Sequence, residues 1–537
     1  MFERLLGAGR PVLSVTEAES TIIAAVPGSP AGTCGVREQH HRNGCIGFDG
    51  PGSGRLAAQT FTVTDGSPPR PSPRRTKSMA GALSRRQMMK LGAAVTGALG
   101  LLPVLDGPAC ASPHGHDVPT LPWPAANDIV ANTKLPVFPD RTFKVADYGA
   151  VADGKTDNTA AFAKAITAAN AAGGGHVVVA KGAYVTGAIY LKSNVDLNLA
   201  AGATLKFGGD ASKFPTVLTR YEGIECMNRS PMIYAHGEHN IAVTGSGVLD
   251  AGGTSSWNKG SDRAYLDDLV AKGVPPEKRV VPGSGHAMRS TFIEPYSCDT
   301  VLIQGVTLKN PMFWQLHPTL CTNVTVDGVS TDPSTAHSNT DGCDPESCDH
   351  VVISNCILGA HDDNIAIKSG RDADGRRVNV PSQNIVVVNC TMNGNWGAIT
   401  CGSELTGGIR NVYAYQLKVT GATKFALYIK SNTLRGGFAQ NINLDSVSGT
   451  FDRSVAYVTM TYNGQTGNFP PKFGPFSITN SSSTKVNGKV LDVSGLSSDH
   501  VAGFTAQNCA FNGVSDTKNT TSNVDGLKLV NVKINGK

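Results

Sequence analysis

The sequence predicts an all-β chain folded as a right-handed, single-stranded parallel β-helix, a solenoid with a capping helix at its N-terminal end. Aromatic residues make up only 6% of the chain and charged residues 17%, while 61 of the 537 residues are glycine. This composition is typical of many short strands joined by tight turns. Short alternating runs also recur along the chain, and one amphipathic helical pattern precedes most of them.

The repeating unit is a polar residue, often asparagine, followed by a short β-branched run and a turn. Such runs begin at Asn194, Asn240, Thr300, Asn323, His350, Asn384, Asn411 and Asn441. From Thr300 onward they start 23, 27, 34, 27 and 30 residues apart. A period of this length indicates solenoid coils, in which each strand pairs with the equivalent strand of the next coil. Aliphatic side chains such as Ile365, Ile399 and Leu427 would then stack into one core.

The open end of a solenoid must be covered. The stretch from Asp157 to Ala172 has the spacing of an amphipathic helix, with Asp157 placed to cap it. We therefore expect this helix to close the N-terminal end.

The positive charge of the chain, a formal +5, is concentrated near its start. Residues 1–110 hold 12 Lys and Arg against 7 Asp and Glu, and the remaining residues hold 35 of each. We interpret 1–78, rich in Gly, Pro, Ser and Arg, as a disordered or misassigned extension. Residues 79–111 are interpreted as an export signal, 112–140 as a linker and 141–537 as the β-helix domain. The balanced charge of that domain gives no reason to expect a nucleic-acid partner.

The segment 79–111 has the three parts of a secretory signal. Basic residues precede an apolar run from Leu91 to Leu105, and Ala109 to Ala111 supply small residues at its end. The run is shorter than the roughly 20 residues that span a bilayer, so we expect no stable membrane anchor. The sequence Ser84-Arg85-Arg86-Gln87-Met88-Met89-Lys90 is similar to the twin-arginine motif of bacteria. This predicts a periplasmic or secreted protein.

Nine cysteines remain after residue 110, an odd number that fits poorly with a full disulfide framework. Cys343 and Cys348 are near enough in sequence to pair, whereas Cys356 and Cys390 are expected as free core residues. No Cys-x-x-Cys pair or His/Cys cluster indicates zinc, and Asp372 to Gly375 matches only a fragment of a calcium loop. We predict no metal and no cofactor. Strand edges paired within the stack favour a monomer.

Three aspartates are predicted to meet on one groove. Asp362 and Asp363 lie where the chain passes from one strand to another, and only at a bend can adjacent side chains reach the same side. Asp341 lies one coil earlier and would fall beside them. Crowded carboxylates can keep one acid protonated while others stay ionised, which is the apparatus of glycoside hydrolysis. Plain turn aspartates would explain the same spacing.

The chain from about Phe143 to its end resembles glycoside hydrolase family 28, the polygalacturonases and related pectin-degrading enzymes. The resemblance covers roughly three quarters of the chain and includes FKVADYGAVADGKTDNTAAF, NIAVTGSGVLDAGG and FWQLHPTLCTNVTVDGV. Its signature segments are Asn339-Thr340-Asp341-Gly342, His361-Asp362-Asp363-Asn364 and Ile429-Lys430.

The resemblance implies an inverting hydrolase of a pectin-type polysaccharide or oligosaccharide. It assigns Asp362 as general acid, and Asp341 with Asp363 as the residues that hold the attacking water. It assigns Asn339 and Lys430 to substrate binding, with Lys430 on a galacturonate carboxylate. Asp344 fits the family pattern either as a supporting residue or as a direct contact.

Two positions depart from the family pattern. Where the family has Gly-His-Gly this chain has Asn395-Trp396-Gly397, and the matching offset of 34 residues places Trp396 against Asp362. The family's Arg-Ile-Lys is here Tyr428-Ile429-Lys430. Aromatic faces suit stacking on a sugar, but Tyr lacks the bidentate fork of Arg. We therefore expect Trp396 and Tyr428 to bind substrate and recognition to have shifted toward a less acidic fragment or a chain end, unless Trp396 only packs the groove wall.

Two other functions remain open at the level of sequence. A pectate-lyase-like eliminase would use a cation and a base on the same fold, but the acids follow the hydrolase order and the calcium pattern is incomplete. A non-catalytic carbohydrate-binding β-helix would leave the aspartates dispensable. The fold alone does not separate these possibilities.

Overall fold

The computed structural model describes residues 12–15, 22–25, 116–252, 260–332 and 338–537. The chain divides into two units, Met1–Leu101 and Leu102–Lys537. In the first unit the described residues form an antiparallel pair, Val12–Val15 with Ile22–Ala25, within the extension for which the sequence predicts disorder. The predicted export signal 79–111 lies outside the described residues.

The second unit is a parallel β-helix, as predicted, and its strands form three faces. The strands of the first face are Thr142–Lys144, Gly175–Val179, Val195–Leu199, His239–Gly245, Asp299–Gln304, Thr322–Asp327, Asp349–Ser354, Ser382–Val388, Ile409–Tyr415, Phe438–Asp445, Lys472–Phe473, Phe476–Thr479, Val501–Phe511 and Val524–Ile534. Those of the second face are Asp153–Asp157, Gly182–Thr186, Ala203–Phe207, Val248–Asp250, Thr307–Lys309, Ser330–Thr331, Ile357–Leu358, Thr391–Met392, Lys418–Val419, Ser448–Phe451 and Ser482–Val486.

The third face carries the residues on which function depends. Its strands are Ile189–Tyr190, Ile233–His236, Ile293–Tyr296, Ile365–Ile367, Gly397–Gly402, Phe425–Lys430, Ser454–Thr459, Leu491–Ser494 and Thr520–Ser522. Single parallel bridges at Leu316 and Cys343 continue the face between Ile293 and Ile365. Successive coils from Ile189 to Ser522 therefore contribute to this face.

The core is a stack of aliphatic columns, as the alternation predicts. On the third face Ile365 pairs with Ile399, and Ile399 pairs with Leu427. All three are fully buried in one cluster that runs through the solenoid. Because each inward side chain packs on its equivalent in the next coil, the core is continuous although the sequence repeats weakly.

The polar residue that opens each run has a structural cause. All eight predicted opening residues have positive φ, between 54° and 64°, a conformation that asparagine tolerates better than most residues. Their amides also bond along the stack: Asn411 donates to Asn384 at 3.0 Å, and Asn441 donates to Asn411 at 3.0 Å. The recurring asparagine therefore marks a bend in each coil and a ladder of side-chain hydrogen bonds between coils.

The predicted capping helix is present but begins two residues later than expected. Helix α1 spans Pro124–Asn132 and helix α2 spans Thr159–Ala171. Asp157 accepts a hydrogen bond from the Thr159 backbone N–H at 3.0 Å, so it serves the first turn from outside the helix. The buried side chains of α2, which include Phe162 and Ile166, join the solenoid core beside its first coils.

The segment 112–140, predicted as a linker, is a packed strap over its described part. Helix α1 buries Ile129 against Val386 and Tyr413 of the first face. Beyond the helix, the backbone N–H of Lys134 donates to Asn323 at 3.1 Å. The strap thus contacts both the asparagine ladder and an apolar patch on the outer side of the first face. The repeat pattern in the sequence does not predict these contacts.

Two insertions cover part of the third face. One is an antiparallel hairpin of Thr216–Tyr221 and Ile224–Arg229, and the other is helix α3, Arg263–Ala271. A further helix, α4, spans Asp372–Val378 and begins in the segment that matches a fragment of a calcium loop. Short 3₁₀ turns are Val145–Tyr148, Ala211–Lys213, Pro276–Lys278 and Tyr462–Gly464.

The described cysteines are all free and buried. Cys343 and Cys348, whose spacing allows a bond, are not joined, and the Cys348 thiol donates instead to the Pro318 carbonyl at 3.2 Å. Cys356 and Cys390 are free core residues, as expected. Among the described residues, none of the helices is long and apolar enough to cross a membrane.

Candidate active site

The structure brings the three predicted aspartates to one place on the third face. A carboxylate oxygen from each of Asp341, Asp362 and Asp363 lies within 4.8 Å of one from the other two. Asp362 and Asp363 precede the strand Ile365–Ile367 at a bend, and the Gly342 backbone N–H next to Asp341 donates to the Asp363 carbonyl at 3.0 Å. Coil stacking therefore produces the cluster in the way that the sequence predicts.

The aspartates line a cavity of about 180 Å³. Its walls are Glu222, Arg263, Trp314, Asn339, Asp341, Asp362, Asp363, Lys368, Trp396, Ser403, Glu404, Lys430, Arg435, Tyr462, Asn463 and Gln465. Of the seven site residues predicted from sequence, six are among these, and Tyr428 is not.

Asp363 is held as a carboxylate by three donors. The Gly397 backbone N–H donates to Oδ1 at 2.8 Å and the Thr400 hydroxyl donates to the same oxygen at 2.7 Å. Lys430 Nζ donates to Oδ2 at 3.0 Å. Hydrogen bonds to the charged form and an adjacent cation both stabilise negative charge. Asp363 is therefore the fixed anion of the cluster.

Asp362 has much weaker support for a negative charge. Its Oδ2 accepts long hydrogen bonds from the Asn339 backbone at 3.3 Å and from the Asn339 amide at 3.5 Å. Burial raises the pKa of Asp362, and the negative charge of Asp363 raises it further. Asp362 is thus suited to hold a proton at the cavity surface.

Asp341 lies deeper, beside a buried lysine. Lys368 Nζ is 3.7 Å from Asp341 Oδ2 and 3.8 Å from Asp344 Oδ1, and it donates to Glu404 at 3.2 Å. Burial raises the pKa of Asp341 well above its ordinary value and Asp362 adds to this, while Lys368 opposes it. Burial likewise raises the pKa of Asp344. Among the described residues, neither carboxylate oxygen of Asp344 has a hydrogen-bond partner.

The three aspartates have the right atoms to coordinate a cation such as Ca²⁺. Two ammonium groups already supply positive charge there, since Lys430 bonds Asp363 and Lys368 lies beside Asp341. A divalent ion would have to compete with both. The donor set therefore fits an acid–base site better than a metal centre.

Trp396 lies beside Asp362, as the offset of 34 residues predicts. Its backbone N–H donates to the Asp362 carbonyl at 3.3 Å, and its side chain lines the cavity. Lys424 Nζ lies 3.2 Å from the centre of the indole ring, a cation–π contact. One face of the ring is thereby occupied by Lys424, so a sugar could stack only on the other.

Tyr428 does not reach the cavity, contrary to its predicted role. It is 3% exposed and stacks between Phe425 and Tyr457, with ring centres 4.6 and 5.4 Å away. Lys430 Nζ lies 4.4 Å from its ring centre. Tyr428 therefore packs against Lys430, and the aromatic cluster across two coils is a packing feature.

Sequence reasoning missed the charged residues that the insertions and later loops contribute. Glu222 comes from the hairpin tip and Arg263 from the start of α3, while Glu404 and Arg435 follow strands of the third face. Only Lys368 could have been found, because it lies in the same coil as the aspartate pair. The others have no periodic signal that relates them to the site.

The hairpin closes one side of the cavity. Glu294, Tyr296 and Glu346, which point outward from the third face, are almost fully buried beneath it. Thr219 donates to Glu294 at 2.6 Å, and Arg220 pairs with Glu346 at 3.2 Å. We call the cavity wall formed by Glu222, Arg263 and Trp314 the closed end. Apolar residues of the hairpin and α3 cluster with Trp314 there.

Comparison with known proteins gives consistent results. The family model for glycosyl hydrolases family 28 matches residues 175–534. A probable polygalacturonase of Vitis vinifera is 27% identical over 62% of this chain and 65% of its own length. An exo-poly-alpha-D-galacturonosidase of Dickeya chrysanthemi is 26% identical over 73% of this chain and 71% of its own length.

The chain thus spans about two thirds of the length of these relatives. The crystal structure of a hyperthermoactive exopolygalacturonase from Thermotoga maritima is 33% identical in sequence, with a TM-score of 0.72. That match covers 77% of this chain and 96% of the Thermotoga chain. With the order of the site aspartates, these matches place the chain in glycosyl hydrolase family 28.

Proposed function

We propose that this protein is an exo-acting, inverting glycosidase that removes terminal galacturonate residues from pectin-type chains. The observation that carries the proposal is one cavity in which a carboxylic acid and two further aspartates meet, closed on one side. The names of its relatives support the substrate class, since the Dickeya chrysanthemi and Thermotoga maritima proteins are both called exo-acting on polygalacturonate.

In the proposed reaction Asp362 is the general acid. It gives its proton to the glycosidic oxygen as the bond from that oxygen to the anomeric carbon breaks. Its environment supports this role, because Asp362 forms no ion pair with any residue that the structure describes, whereas Asp363 is bonded to Lys430. The leaving sugar departs with a neutral hydroxyl group.

Asp341 and Asp363 would hold the attacking water. Two hydrogen bonds of about 2.8 Å can span up to roughly 5.6 Å, and the carboxylate oxygens lie within 4.8 Å of one another. The water oxygen bonds to the anomeric carbon, and one of its protons passes to this pair. The pair needs a negative charge to accept the proton, which the two lysines help to maintain.

Separation alone does not decide the stereochemical course. Acid and base are roughly 6.5–9.5 Å apart in most inverting glycosidases and about 5–5.5 Å apart in retaining ones, so this cluster is compact for inversion. We nevertheless assign inversion, because two aspartates beside the acid can share one water, and because the aspartate order resembles that of the inverting family. The anomer first released tests this directly.

Exo action is supported by the hairpin. A polysaccharide that continued along the third face past the closed end would need the surface over Glu294, Tyr296 and Glu346. That surface is occupied by the hairpin, which bonds to all three side chains. A chain end can enter such a cavity, whereas an internal stretch would collide with the hairpin. Lys430 and Tyr462 also line this cavity.

The test uses polygalacturonate and galacturonate oligomers. We expect new reducing ends, free galacturonate as the first product, no ultraviolet absorbance of an unsaturated product, and an inverted anomer by NMR. Asp362→Asn should lower the rate at least about 100-fold, the usual weight of a general acid. The surface variant Asp128→Asn should leave it unchanged. Absorbance would instead establish an eliminase, and normal turnover in Asp362→Asn would refute the assigned roles.

We also infer that the protein is exported through the membrane in folded form. The basis is the twin-arginine-like sequence from Ser84 to Lys90, followed by an apolar run of signal length. Replacing both arginines, Arg85→Lys with Arg86→Lys, should leave the enzyme in the cytoplasmic fraction of a bacterial host. Unchanged export of that variant would exclude this route. A monomer remains our expectation and can be checked by light scattering.

A further inference from the structure

Four cations line the cavity, and three of them are already committed to acidic partners. Lys430 bonds Asp363 at 3.0 Å, and Lys368 bonds Glu404 at 3.2 Å. Arg435 contacts Asp372 at 3.2 Å and donates to Ser403 at 2.5 Å. All three side chains are less than 10% exposed.

Arg263 differs from these three in exposure and in free donors. Its side chain is 44% exposed, although it lines the same cavity as the aspartates. Its Nε pairs with Glu222, and neither terminal nitrogen has a hydrogen bond or ion pair with any other described residue. A guanidinium with two unused nitrogens can accept a planar carboxylate in a bidentate arrangement.

The partner Glu222 is fixed in place by the hairpin tip. Glu222 and Gly223 form a two-residue turn with φ of 47° and 81°, the conformation that tight hairpins need. The Gly223 carbonyl accepts a hydrogen bond from the Arg371 backbone at 3.0 Å, and a side chain at Gly223 would collide with Arg371. This close contact sets where the Glu222 carboxylate lies.

Glu222 can release Arg263 without becoming an isolated buried charge. Its Oε2 is 3.7 Å from Nη1 of the buried Arg371, so a second guanidinium remains beside it. Burial raises the pKa of Glu222, which lowers the cost of holding it neutral. A competing carboxylate can therefore take over Arg263 while Glu222 stays with Arg371.

We propose that Arg263 recognises the carboxylate of the uronic acid that occupies the closed end, displacing Glu222, and so determines specificity for an acidic over a neutral terminal sugar. This inference rests on the proposed function and names the group that reads the terminal sugar. It also differs from the expectation from sequence, which assigns the galacturonate carboxylate to Lys430. In that expectation Tyr428 stands where the family has an arginine, so no arginine is available to bind the substrate. Helix α3 supplies a further arginine to the wall of the same cavity.

The experiment compares the wild type, Arg263→Ala and Arg263→Lys on trigalacturonate. It also measures inhibition by two sugars that differ only in the carboxylate, galacturonate and galactose. We expect Arg263→Ala to lower kcat/KM about 10- to 100-fold, as for loss of a hydrogen bond between charged groups. Its preference for galacturonate over galactose should fall by a similar factor, and Arg263→Lys should restore part of both. Lys272→Ala removes an exposed charge immediately after the same helix and should change neither.

The outcomes separate this inference from the function on which it rests. If the wild type hydrolyses trigalacturonate but Arg263→Ala keeps the full preference for galacturonate, the inference is wrong and the proposed function stands. If Arg263→Ala weakens galacturonate and galactose equally, Arg263 only shapes the cavity. If the wild type produces no reducing ends from any galacturonate oligomer, the proposed function itself fails. The melting temperature of Arg263→Ala checks that its fold is intact.

Discussion

Neighbouring residues of the site acquire different roles from their surroundings. Asp362 and Asp363 are adjacent in the chain and share a bend, yet Asp363 is bonded to a lysine and two further donors. Asp362 accepts only the two long bonds from Asn339 and one bond from the Asp363 backbone N–H at 3.0 Å. The difference between the acid and the anion therefore comes from Thr400 and Lys430 of the two following coils. The two aspartates themselves are adjacent in the chain and both line the cavity.

Lys368 should control the ionisation of Asp341. The ammonium lies 3.7 Å from Asp341 and opposes the rise in pKa that burial causes. Its removal in Lys368→Met should raise the pKa of Asp341 further, so that this residue loses its charge at a higher pH. The acidic limb of the kcat/KM profile should then move up by about one pH unit or more. At a fixed acidic pH the variant should be at least about 10-fold slower.

A shift in the pH profile distinguishes this role from a structural one. Lys368→Arg keeps a positive charge and should keep the limb near its wild-type position, while the exposed Lys472→Met should have no effect. A lower rate at every pH with an unmoved limb would show that Lys368 only supports the fold. Kinetics from pH 4 to pH 8, with a melting curve for each variant, provide the comparison.

Single aromatic residues were the least predictable part of the site. Trp396 lines the cavity beside Asp362, as its offset predicts. Tyr428 was also predicted to reach the site from its position in a coil. Its ring is instead enclosed by Phe425 of the same coil and Tyr457 of the next coil. Position in a repeat gives the place of a residue along the stack. It does not give which way an aromatic ring turns, since that depends on neighbouring coils.

At the scale of elements, prediction succeeded where structure repeats. The opening asparagines mark bends with positive φ and a ladder of amide bonds, so the same cause acts in coil after coil. Stacking of coils then brings Asp341 to Asp362 without any sequence proximity. This is why the core and the cluster of acids could be expected from the sequence, whereas the capping helix was recognised by its own amphipathic spacing.

Apart from the capping helix, the elements that occur once were missed. The hairpin, helix α3 and the strap at 116–140 have no equivalent in other coils, and their partners lie far away in sequence. Arg220 on the hairpin pairs with Glu346, and Asn355 donates to the Asp117 carbonyl at 3.4 Å. These insertions close the cavity and supply Arg263, so the features that distinguish this enzyme from an open groove are the ones without a periodic signal.

At the scale of the whole molecule, the chain after residue 110 has no net charge, so the charges that could bind a substrate are local ones. The residues after 110 balance, with 35 positive and 35 negative side chains. A neutral body has no long-range field to attract an acidic polymer. The cations at the site are instead placed by individual coils and insertions, and most are paired with acids. Recognition of uronic acids must therefore act at contact distance, within the cavity.

One buried network ties the hairpin to the solenoid and should make the stability of the whole fold depend on pH. His317 is fully buried between Glu346, to which Nε2 is bonded at 2.9 Å, and Glu294, 3.4 Å from Nδ1. Arg220 pairs with the same Glu346, and the Trp314 ring packs edge-on against the imidazole. Burial alone would lower the pKa of His317, but the two glutamates outweigh it and raise the pKa to about 9.

A raised pKa means that the folded state binds the proton more tightly than the unfolded chain. The stabilisation is therefore complete below about pH 6.5, the ordinary value for histidine, and is lost as the pH rises through about 9. The loss is at most about 3 kcal/mol for a shift of this size.

We expect the melting temperature of the wild type to fall by a few degrees between pH 6.5 and pH 9.5. His317→Gln should be less stable at pH 6.5 but lack this decline, whereas the exposed His239→Gln should behave like the wild type. The same decline in His317→Gln would assign the alkaline loss of stability to another group.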